Sequence, residues 1–397
     1  MRVRSHALTT LPGFLSDRGY LANAVGHLTI DILNSTPSLL LALFSVALGL
    51  TNTAVGLIAT AYTFANSLSQ PLFGWLSDRY GVGKLSAVGA WWMSVFYTLA
   101  LLSPGWWSIV FMVTAALGSA AFHPEGTVKA RQVPLAQVTT AVSVFFLFGQ
   151  MGAGIGPSIA GTLLQHGGPS GLLVLVALNA VAGWAMWHYR PHNEPMRAVT
   201  AVERAEPALR LGLPVLVLFA FVLFARMTLQ STTVTFLPKH LHDQGWLPGQ
   251  FGLALSMILI GGAIGNVVGG HLADRMGRRP VIIFSLFLAA PALGAYLHLP
   301  GVLFYGILFL AGVCITAGHS VSVVLAQAML PGRQGLASGL TLGFMFAGGA
   351  IGAAAAGWLG DRIGLEQVLA GMAGVALAGG VAALALPPAL FVHDRRS

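Results

Sequence analysis

Five side chains that can carry a charge lie inside long apolar segments of the sequence. Asp31 and Glu125 are carboxylic acids, His123 and His319 are imidazoles, and Arg226 is a permanent cation. A charged group among apolar residues is unfavourable unless it is paired or reaches water, so such groups mark ion pathways and binding sites. Asp31, Glu125 and His123 are therefore predicted to bind and release protons, and Arg226 and His319 to bind a substrate.

The segment GSAAFHPEGTVKAR, residues 118–131, places a histidine and an acid two positions apart. Glu125 is predicted to line a central cavity and to carry a proton, because a carboxyl group removed from water takes up a proton more readily. The alternative is a static ion pair with Lys129, four residues later on the same helix. The alternative for His123 is a hydrogen bond to a backbone carbonyl.

The whole chain is too apolar to cover itself with a water-soluble surface. Of 397 residues, 56% are hydrophobic and 8% are charged, against roughly 25% charged residues in soluble domains. Apolar segments of about 20 residues, the length that crosses a bilayer as a helix, recur throughout, and their continuity excludes a β-barrel. We predict an all-α membrane protein with twelve transmembrane helices in two pseudo-symmetric six-helix halves. The predicted spans are 21–49, 55–77, 84–103, 106–130, 138–164, 170–190, 212–238, 248–273, 280–299, 301–328, 333–359 and 365–390.

Internal repeats indicate how these helices are grouped. GWLSDRYGVGK at 74–84 returns 196 residues later as GHLADRMGRRP at 270–280, and GWLGDRIG at 357–364 follows that second copy by 87 residues. The two offsets predict three-helix units, alternately inverted in the membrane and paired into halves. The predicted organisation is a first half at 1–190, a linker at 191–211 and a second half at 212–397.

The 196-residue offset also relates the charged positions. His123 corresponds to His319, and Asp31 corresponds to Met227, the neighbour of Arg226. The planar donor fork of Arg226 suits a phosphonate, carboxylate or hydroxamate, and the alternative is a permanent ion pair with Asp31 or Glu125. Further candidates for substrate contact are polar residues within spans, although hydrogen bonding between helices is their commoner use. These candidates are Asn34, Gln150 and Gln230.

The repeated loops are predicted to act in gating. Asp78 and Asp274 lie at helix ends, where a carboxylate that pairs with a neighbouring helix end or arginine holds one conformation closed. Helix capping without a gating role is the alternative. The residues assigned to gating are Gly74, Asp78, Arg79, Gly81, Gly270, Asp274, Arg275 and Gly277.

The distribution of Lys and Arg predicts the orientation in the membrane. The side that holds both termini carries seventeen of these residues and the other side carries Lys239 and Arg362, a strong positive-inside bias. Both termini are therefore expected in the cytoplasm, with the chain in the inner membrane. The net charge of +8 is explained by this rim, so no nucleic-acid partner is expected.

No pattern in the sequence indicates an enzyme. There is no P-loop, the histidines are not grouped at metal-ligand spacings, and the single cysteine, Cys314, excludes an internal disulfide. No cofactor and no metal are expected. The expected partners are a small-molecule substrate, protons and the lipid bilayer, and the expected state is a monomer.

Twelve spans, a central linker and the doubled GxLxDRxG loop resemble the major facilitator superfamily over the whole chain. GSAAFHPEGTVKAR in span 4, GQMGAGIGPSIAG in span 5 and AQAMLPGRQGLASGL between spans 10 and 11 are similar to the fosmidomycin resistance branch of proton-driven drug exporters. The segment HLTIDILN in span 1 departs from the branch around its histidine and aspartate, which leaves the substrate open.

The resemblance implies that spans 1 and 7 line the cavity from opposite halves, with Asp31 and Arg226 across the substrate path. It also implies an antiporter-like motif in span 5, at Gly152, Gly156, Pro157 and Gly161. The expected function is proton-coupled antiport that exports a small amphipathic or anionic compound, such as an antibiotic, by alternating access. The alternatives are a proton symporter that imports an organic anion and a membrane sensor built on the same fold.

Overall fold

The computed structural model describes residues 13–80, 83–134, 137–189, 212–328, 334–388 and 390–391, without the side chains of 78, 80, 327–328 and 334–342. The described residues contain α-helices and short 3-10 turns but no strand. The α-helices are α1 Arg18–Asn34, α2 Pro37–Ala47, α3 Asn52–Ser67, α4 Gln70–Tyr80, α5 Leu85–Leu102, α6 Trp106–Ala130, α7 Val138–Gly167, α8 Leu173–His188, α9 Leu213–Asp243, α10 Pro248–Met276, α11 Arg278–Ala295, α12 Gly301–Thr316, α13 His319–Ala328, α14 Gln334–Ile363 and α15 Leu365–Ala385.

The helices make twelve crossings, which confirms the predicted fold class. Eleven helical segments of the described chain are long and apolar enough to span a membrane, and α3 with α4 makes the remaining crossing. The predicted linker at 191–211 lies outside the described residues, so the boundaries of the two halves stay predictions. We name α1–α8 the N-terminal half and α9–α15 the C-terminal half.

Three of the predicted spans are broken helices. The span at 21–49 changes from α1 to α2 just before Pro37, and the span at 55–77 changes from α3 to α4 just before Pro71. Proline lacks an N–H donor and disfavours helical geometry in the residue before it. The span at 301–328 breaks before His319, at Gly318, where a Cβ atom would meet the guanidinium of Arg226. All three breaks lie beside the central cavity, a common arrangement at transporter binding sites.

The two ends of the helix bundle differ in charge. We call the end with Arg18, Lys84, Arg131 and Arg275 the arginine-rich face, and the opposite end, where α3 begins and α14 ends, the arginine-poor face. Large apolar side chains such as Leu288 in the middle of α11 are exposed around the bundle between these faces. Such a surface suits hydrocarbon and not water.

The two most extensive contacts between the halves are α3 with α14 and α7 with α10, which we call the α3–α14 seam and the α7–α10 seam; α2 also packs against α9. The hydrogen bonds that cross between the halves, among the described residues, lie on these seams. Gly357 on α14 faces the Asn52 carbonyl so closely that a Cβ would collide with it, and Gly161 on α7 faces the Pro248 carbonyl in the same way. These contacts are 196 residues apart in both partners, so the sequence repeat extends to the contacts between the halves.

Candidate functional site

Asp31 lies between two histidines in the middle of the N-terminal half. Its Oδ2 is 3.3 Å from Nε2 of His27 on the same helix, and its Oδ1 is 3.4 Å from Nε2 of His123 on α6. His27 is buried, whereas the side chains of Asp31 and His123 are 17% and 21% exposed. The three groups, which we call the proton cluster, are therefore packed together, and Asp31 and His123 remain partly accessible.

The outer nitrogens of both rings fix where protons can sit. Nδ1 of His27 is 2.8 Å from the Phe145 carbonyl, and Nδ1 of His123 is 2.8 Å from the Ser119 carbonyl. A carbonyl accepts and cannot donate, so each Nδ1 carries a hydrogen and each neutral ring has a lone pair on Nε2. Those lone pairs face the oxygens of Asp31. Each contact between a ring and the carboxylate is therefore attractive only when an added proton lies between the two atoms.

Neighbouring residues hold the cluster in this geometry. Phe145 stacks on the His27 ring with centroids 4.2 Å apart. Gly149 on α7 lies directly against His27 and Asp31, and a Cβ there would collide with the His27 ring. The small residue in α7 is therefore required for α1 to approach closely enough to form the cluster.

The same three side chains could bring ligand atoms to a metal ion, since those atoms lie within 4.8 Å of one another. Each imidazole, however, faces a different carboxylate oxygen. Ligands of one ion converge on a single point, whereas two separate nitrogen-oxygen pairs are the geometry of two bridging protons.

Asn34 connects the proton cluster to the cavity. Its amide donates to Asp31 Oδ1 at 3.0 Å and to the Ser119 hydroxyl at 2.8 Å, and its carbonyl accepts from the Tyr62 hydroxyl at 2.9 Å. Asn34 and Tyr62 both line the cavity. A change in proton occupancy at Asp31 therefore acts directly on groups that a bound molecule would contact.

The cavity between the halves consists of two adjoining chambers of about 290 and 270 Å³. Asn34 lines the first chamber, Gln150 lines the second, and Gln230 and His319 line both. His319 makes no hydrogen bond to the described residues, so its imidazole is available to a ligand. The structure thus brings four of the five predicted substrate residues to one cavity, and their role in binding stays a prediction.

Arg226 is the fifth predicted substrate residue, and it does not line either chamber. The side chain is fully buried in the C-terminal half, where it donates to the Ile315 carbonyl, to the Ser285 hydroxyl at 2.9 Å and to the Ile282 carbonyl at 3.4 Å. No carboxylate of the described residues contacts it, so the alternative of an ion pair with Asp31 or Glu125 is absent from this geometry as well. Its donors bind α11 and α12.

Glu125 lies away from the cavity, at the turn between α4 and α5. The buried carboxylate pairs with Lys129 at 2.8 Å and accepts from the backbone N–H of Leu85 at 2.9 Å and of Gly83 at 3.2 Å. The expectation that it lines the central cavity does not match this geometry, because its oxygens are taken up by the turn. The observed contacts are those of the alternative, a static pair with Lys129.

The predicted gating residues that the structure describes lie at the arginine-rich face. Asp274 and Arg275 are exposed and make no hydrogen bond or ion pair to the described residues, while the Arg79 guanidinium lies 5.3 Å from the Trp75 ring centre. Gly277 ends α10 with a φ of 90°, a conformation that favours glycine. A Cβ at Gly270 would meet open space, and one at Gly74 would meet Pro124 at van der Waals distance. The side chain of Asp78, and Gly81, lie outside the described residues.

The span-5 motif is a set of contact points along α7. Gly152 packs on the Leu28 backbone of α1, and Gly156 packs on Ile32 and Ser35. Pro157 and Gly161 face α10 instead, across the α7–α10 seam. The motif therefore joins the helix of the proton cluster to the boundary between the halves.

Sequence reasoning missed His27, Tyr62, Gly149 and Asp361. His27 could have been found from its position four residues before Asp31, the spacing that places two side chains on one helix face. Asp361 could have been found from the repeat, because it stands 87 residues after Asp274 in GWLGDRIG. Tyr62 and Gly149 carry no such signal, since aromatic residues and glycines are common throughout membrane helices.

Twelve crossings around a central polar cavity, with a titratable cluster that contacts the cavity lining through Asn34, are typical of a multi-pass membrane transporter. The profile of the Major Facilitator Superfamily matches residues 24–246 and 218–395. The chain belongs to this superfamily.

Relatives in sequence and structure agree with this assignment. The chain is 28% identical to the fosmidomycin resistance protein of Escherichia coli (strain K12) over 369 residues, and 31% identical to the uncharacterized MFS-type transporter YfnC of Bacillus subtilis (strain 168) over 359 residues, with 87% of each chain covered in both cases. Its fold is similar to that of a bacterial homologue of the human lysosomal transporter Spinster in an inward-facing, unoccupied conformation. That match has a TM-score of 0.78, 13% identity, and coverage of 98% of this chain and 100% of the other.

Proposed function

We propose that the chain is a proton-coupled antiporter that exports a small amphipathic compound, such as an antibiotic, by alternating access of the central cavity. The observation that carries this proposal is the proton cluster of His27, Asp31 and His123, in which both Nε2 atoms face the Asp31 carboxylate, and which contacts the cavity lining through Asn34. Asp31 and His123 were expected to bind protons from the sequence, and His27 joins them. Glu125 is assigned to the structure of the turn at 83–86.

Proton occupancy changes the energy of this cluster strongly. Without added protons, two nitrogen lone pairs face a carboxylate at 3.3 and 3.4 Å, which is repulsive in a site with little water. With two protons the same contacts become charge-assisted hydrogen bonds. Loss of protons therefore favours separation of α1 from α6. The difference in energy between the protonated and the unprotonated cluster drives the change between inward-facing and outward-facing states.

Asn34 and Tyr62 link the proton cluster to the substrate. Tyr62 donates to Asn34 and Asn34 donates to Asp31, so a substrate that donates a hydrogen bond to the Tyr62 hydroxyl strengthens this chain of donors and favours the ionised form of Asp31. Substrate and protons then oppose each other through one set of contacts, which is the requirement for antiport.

The lining of the cavity suits a small compound that combines an apolar part with a few polar groups, and His319 is the lining group that would face an anionic one. The described lining combines amides and hydroxyls with Met227, Met345 and Phe346, and it contains no Lys or Arg. Such a surface binds a molecule with an apolar body and a few polar groups. The relative named for fosmidomycin resistance makes fosmidomycin the natural first probe.

We place the arginine-rich face in the cytoplasm and the chain in the inner membrane, acting as a monomer, in accordance with the positive-inside rule. Both seams that join the halves end at the arginine-poor face, so the described conformation corresponds to an inward-facing state. The similarity to an inward-facing Spinster homologue supports this assignment. The loops with Asp78 and Asp274 would then pair in the outward-facing state, which accounts for the exposed Asp274 here.

Flux measurements in liposomes test the proposal. The purified full-length protein is reconstituted, a pH gradient is imposed, and labelled fosmidomycin and proton movement are followed together. Movement of fosmidomycin opposite to protons is expected, and the rate should depend on the size of the gradient. Movement of both in the same direction would establish symport instead, and fosmidomycin flux that ignores the gradient would overturn proton coupling.

A further inference from the structure

Asp361, near the end of α14, holds the beginning of α3 across the boundary between the halves. Its carboxylate accepts from the backbone N–H of Asn52 at 2.7 Å, from the N–H of Thr53 at 2.8 Å and from the Thr53 hydroxyl at 2.5 Å. The next N–H, that of Ala54, donates to the Thr51 side chain at 3.1 Å. The first turn of α3 thus has its free N–H groups satisfied by one local cap and by one carboxylate from the other half.

The electrostatics of the two helix ends favour contact of Asp361 with α3 over contact with its own helix. A carboxylate at the C-terminal end of its own helix is unfavourable, whereas the N-terminus of a facing helix attracts it. Arg362 does not compensate Asp361 directly, because its guanidinium lies 3.6 Å from the Trp358 ring centre and donates to the Trp358 carbonyl at 2.8 Å. The hydrogen-bond partners of Asp361 among the described residues all lie at the start of α3, so the contact exists only while the two halves meet at the arginine-poor face.

The other seam contains the equivalent contact in neutral form. Gln165 on α7 accepts from the backbone N–H of Gly249, at the start of α10, at 3.2 Å. Gln165 and Asp361 are 196 residues apart, and so are Thr53 and Gly249. The two acceptors therefore occupy the same place in the two halves, and one is charged while the other is an amide.

We propose that Asp361 and Gln165 are paired clasps that hold the arginine-poor face closed, and that release of the charged clasp at Asp361 controls opening of that face. The inference rests on the alternating access proposed above and is independent of proton coupling. Hydrogen bonds to an ionised acceptor are stronger than those to an amide, so Asp361 contributes more than Gln165. The third copy of the GxLxDRxG pattern thereby gains a function at the face opposite to the first two.

Thiol labelling from the arginine-poor side measures this opening. Ser38 is buried and lines the cavity, so a cysteine there reacts with a membrane-impermeant reagent from that side only when the face is open. In a full-length Cys314→Ser background with Ser38→Cys, we expect Asp361→Asn to raise the labelling rate about tenfold. The asparagine keeps the size of the side chain but loses the charge and one acceptor oxygen.

Asp274→Asn is the matched control, because Asp274 lies in the same local sequence, makes no contact of this kind in the described conformation, and is proposed to pair only when the arginine-poor face is open. It should not raise labelling from the arginine-poor side. Equal acceleration by both variants would mean general loosening of the fold and would overturn the clasp, as would an unchanged rate in Asp361→Asn. A cysteine at the exposed Pro104 reports protein orientation and reagent access in the same vesicles.

A conservative variant separates the clasp from folding. Asp361→Glu retains the charge, so it should label close to the parental rate, and acceleration equal to that of Asp361→Asn would contradict a charge-based clasp. Labelling requires neither a substrate nor a pH gradient. Faster labelling in Asp361→Asn, with no proton-dependent flux through the parental protein, would therefore support the clasp and overturn the proposed antiport. Proton-dependent flux with an unchanged labelling rate would support the antiport and overturn the clasp.

Discussion

The two halves of the molecule share a backbone plan and divide the chemistry between them. The N-terminal half holds Asp31 between two histidines, while the equivalent place in the C-terminal half holds Met227 and a buried Arg226 that contacts backbone and hydroxyl groups. On the seams the C-terminal half carries the acid instead, because it supplies Asp361 where the N-terminal half supplies Gln165. A duplicated fold can therefore assign proton chemistry to one copy and conformational control to the other.

The largest effect should come from removing the acid of the N-terminal half. Asp31→Asn keeps the hydrogen bond with Asn34 but removes the charge that both histidines face, so we expect gradient-driven fosmidomycin accumulation to be abolished while exchange without a gradient persists. Glu125→Gln is the matched control, since it removes a buried carboxylate that is bound to Lys129. This control should lower the free energy of unfolding and leave proton coupling of the folded protein unchanged. Full accumulation by Asp31→Asn would remove the proton cluster from the mechanism.

The equivalent histidines allow the halves to be compared directly. His123→Asn should weaken the pH dependence of fosmidomycin binding, because it removes one of the two histidines that face Asp31. His319→Asn should weaken binding about tenfold at every pH, the loss expected for one hydrogen bond in a site with little water. Binding to the purified variants is measured by calorimetry across a pH series. The same pH profile in both variants would contradict the division of roles between the halves.

Most of the fold followed from the sequence, but the directions of the side chains did not. The lengths of the apolar segments predict the twelve crossings, and the repeat predicts the equivalence of the halves. Arg226 shows the limit, because its position in a span reveals a buried charge but not that it extends toward α11 and α12 and away from the cavity. Glu125 shows the same limit: the pair with Lys129 was foreseeable from spacing, whereas its hydrogen bonds to the turn at 83–86 depend on tertiary packing.

Arg226 should contribute to stability more than to binding. Arg226→Met replaces the guanidinium group with an apolar side chain of similar length. It leaves the Ile315 carbonyl and the Ser285 hydroxyl without their donor. We expect unfolding free energy to fall by about 1 to 3 kcal/mol, with fosmidomycin affinity of the folded protein nearly unchanged. Thermal unfolding and calorimetric binding of the purified variant measure the two quantities. Preserved stability with weak binding would restore the predicted role in substrate contact.

The smallest effect tests whether charge alone distinguishes the two seams. Gln165→Glu places a carboxylate at the start of α10, where the Gly249 N–H now donates to an amide oxygen. A charge at a helix N-terminus stabilises by about 0.3 to 1 kcal/mol, so labelling of Ser38→Cys from the arginine-poor side should slow by roughly 2- to 5-fold. In the double variant with Asp361→Asn the rate should return toward the parental value, because the charged clasp has moved to the other half. Faster labelling in Gln165→Glu would mean that a charge destabilises the α7–α10 seam. The two seams would then be equivalent in backbone position but not in their response to a charged acceptor.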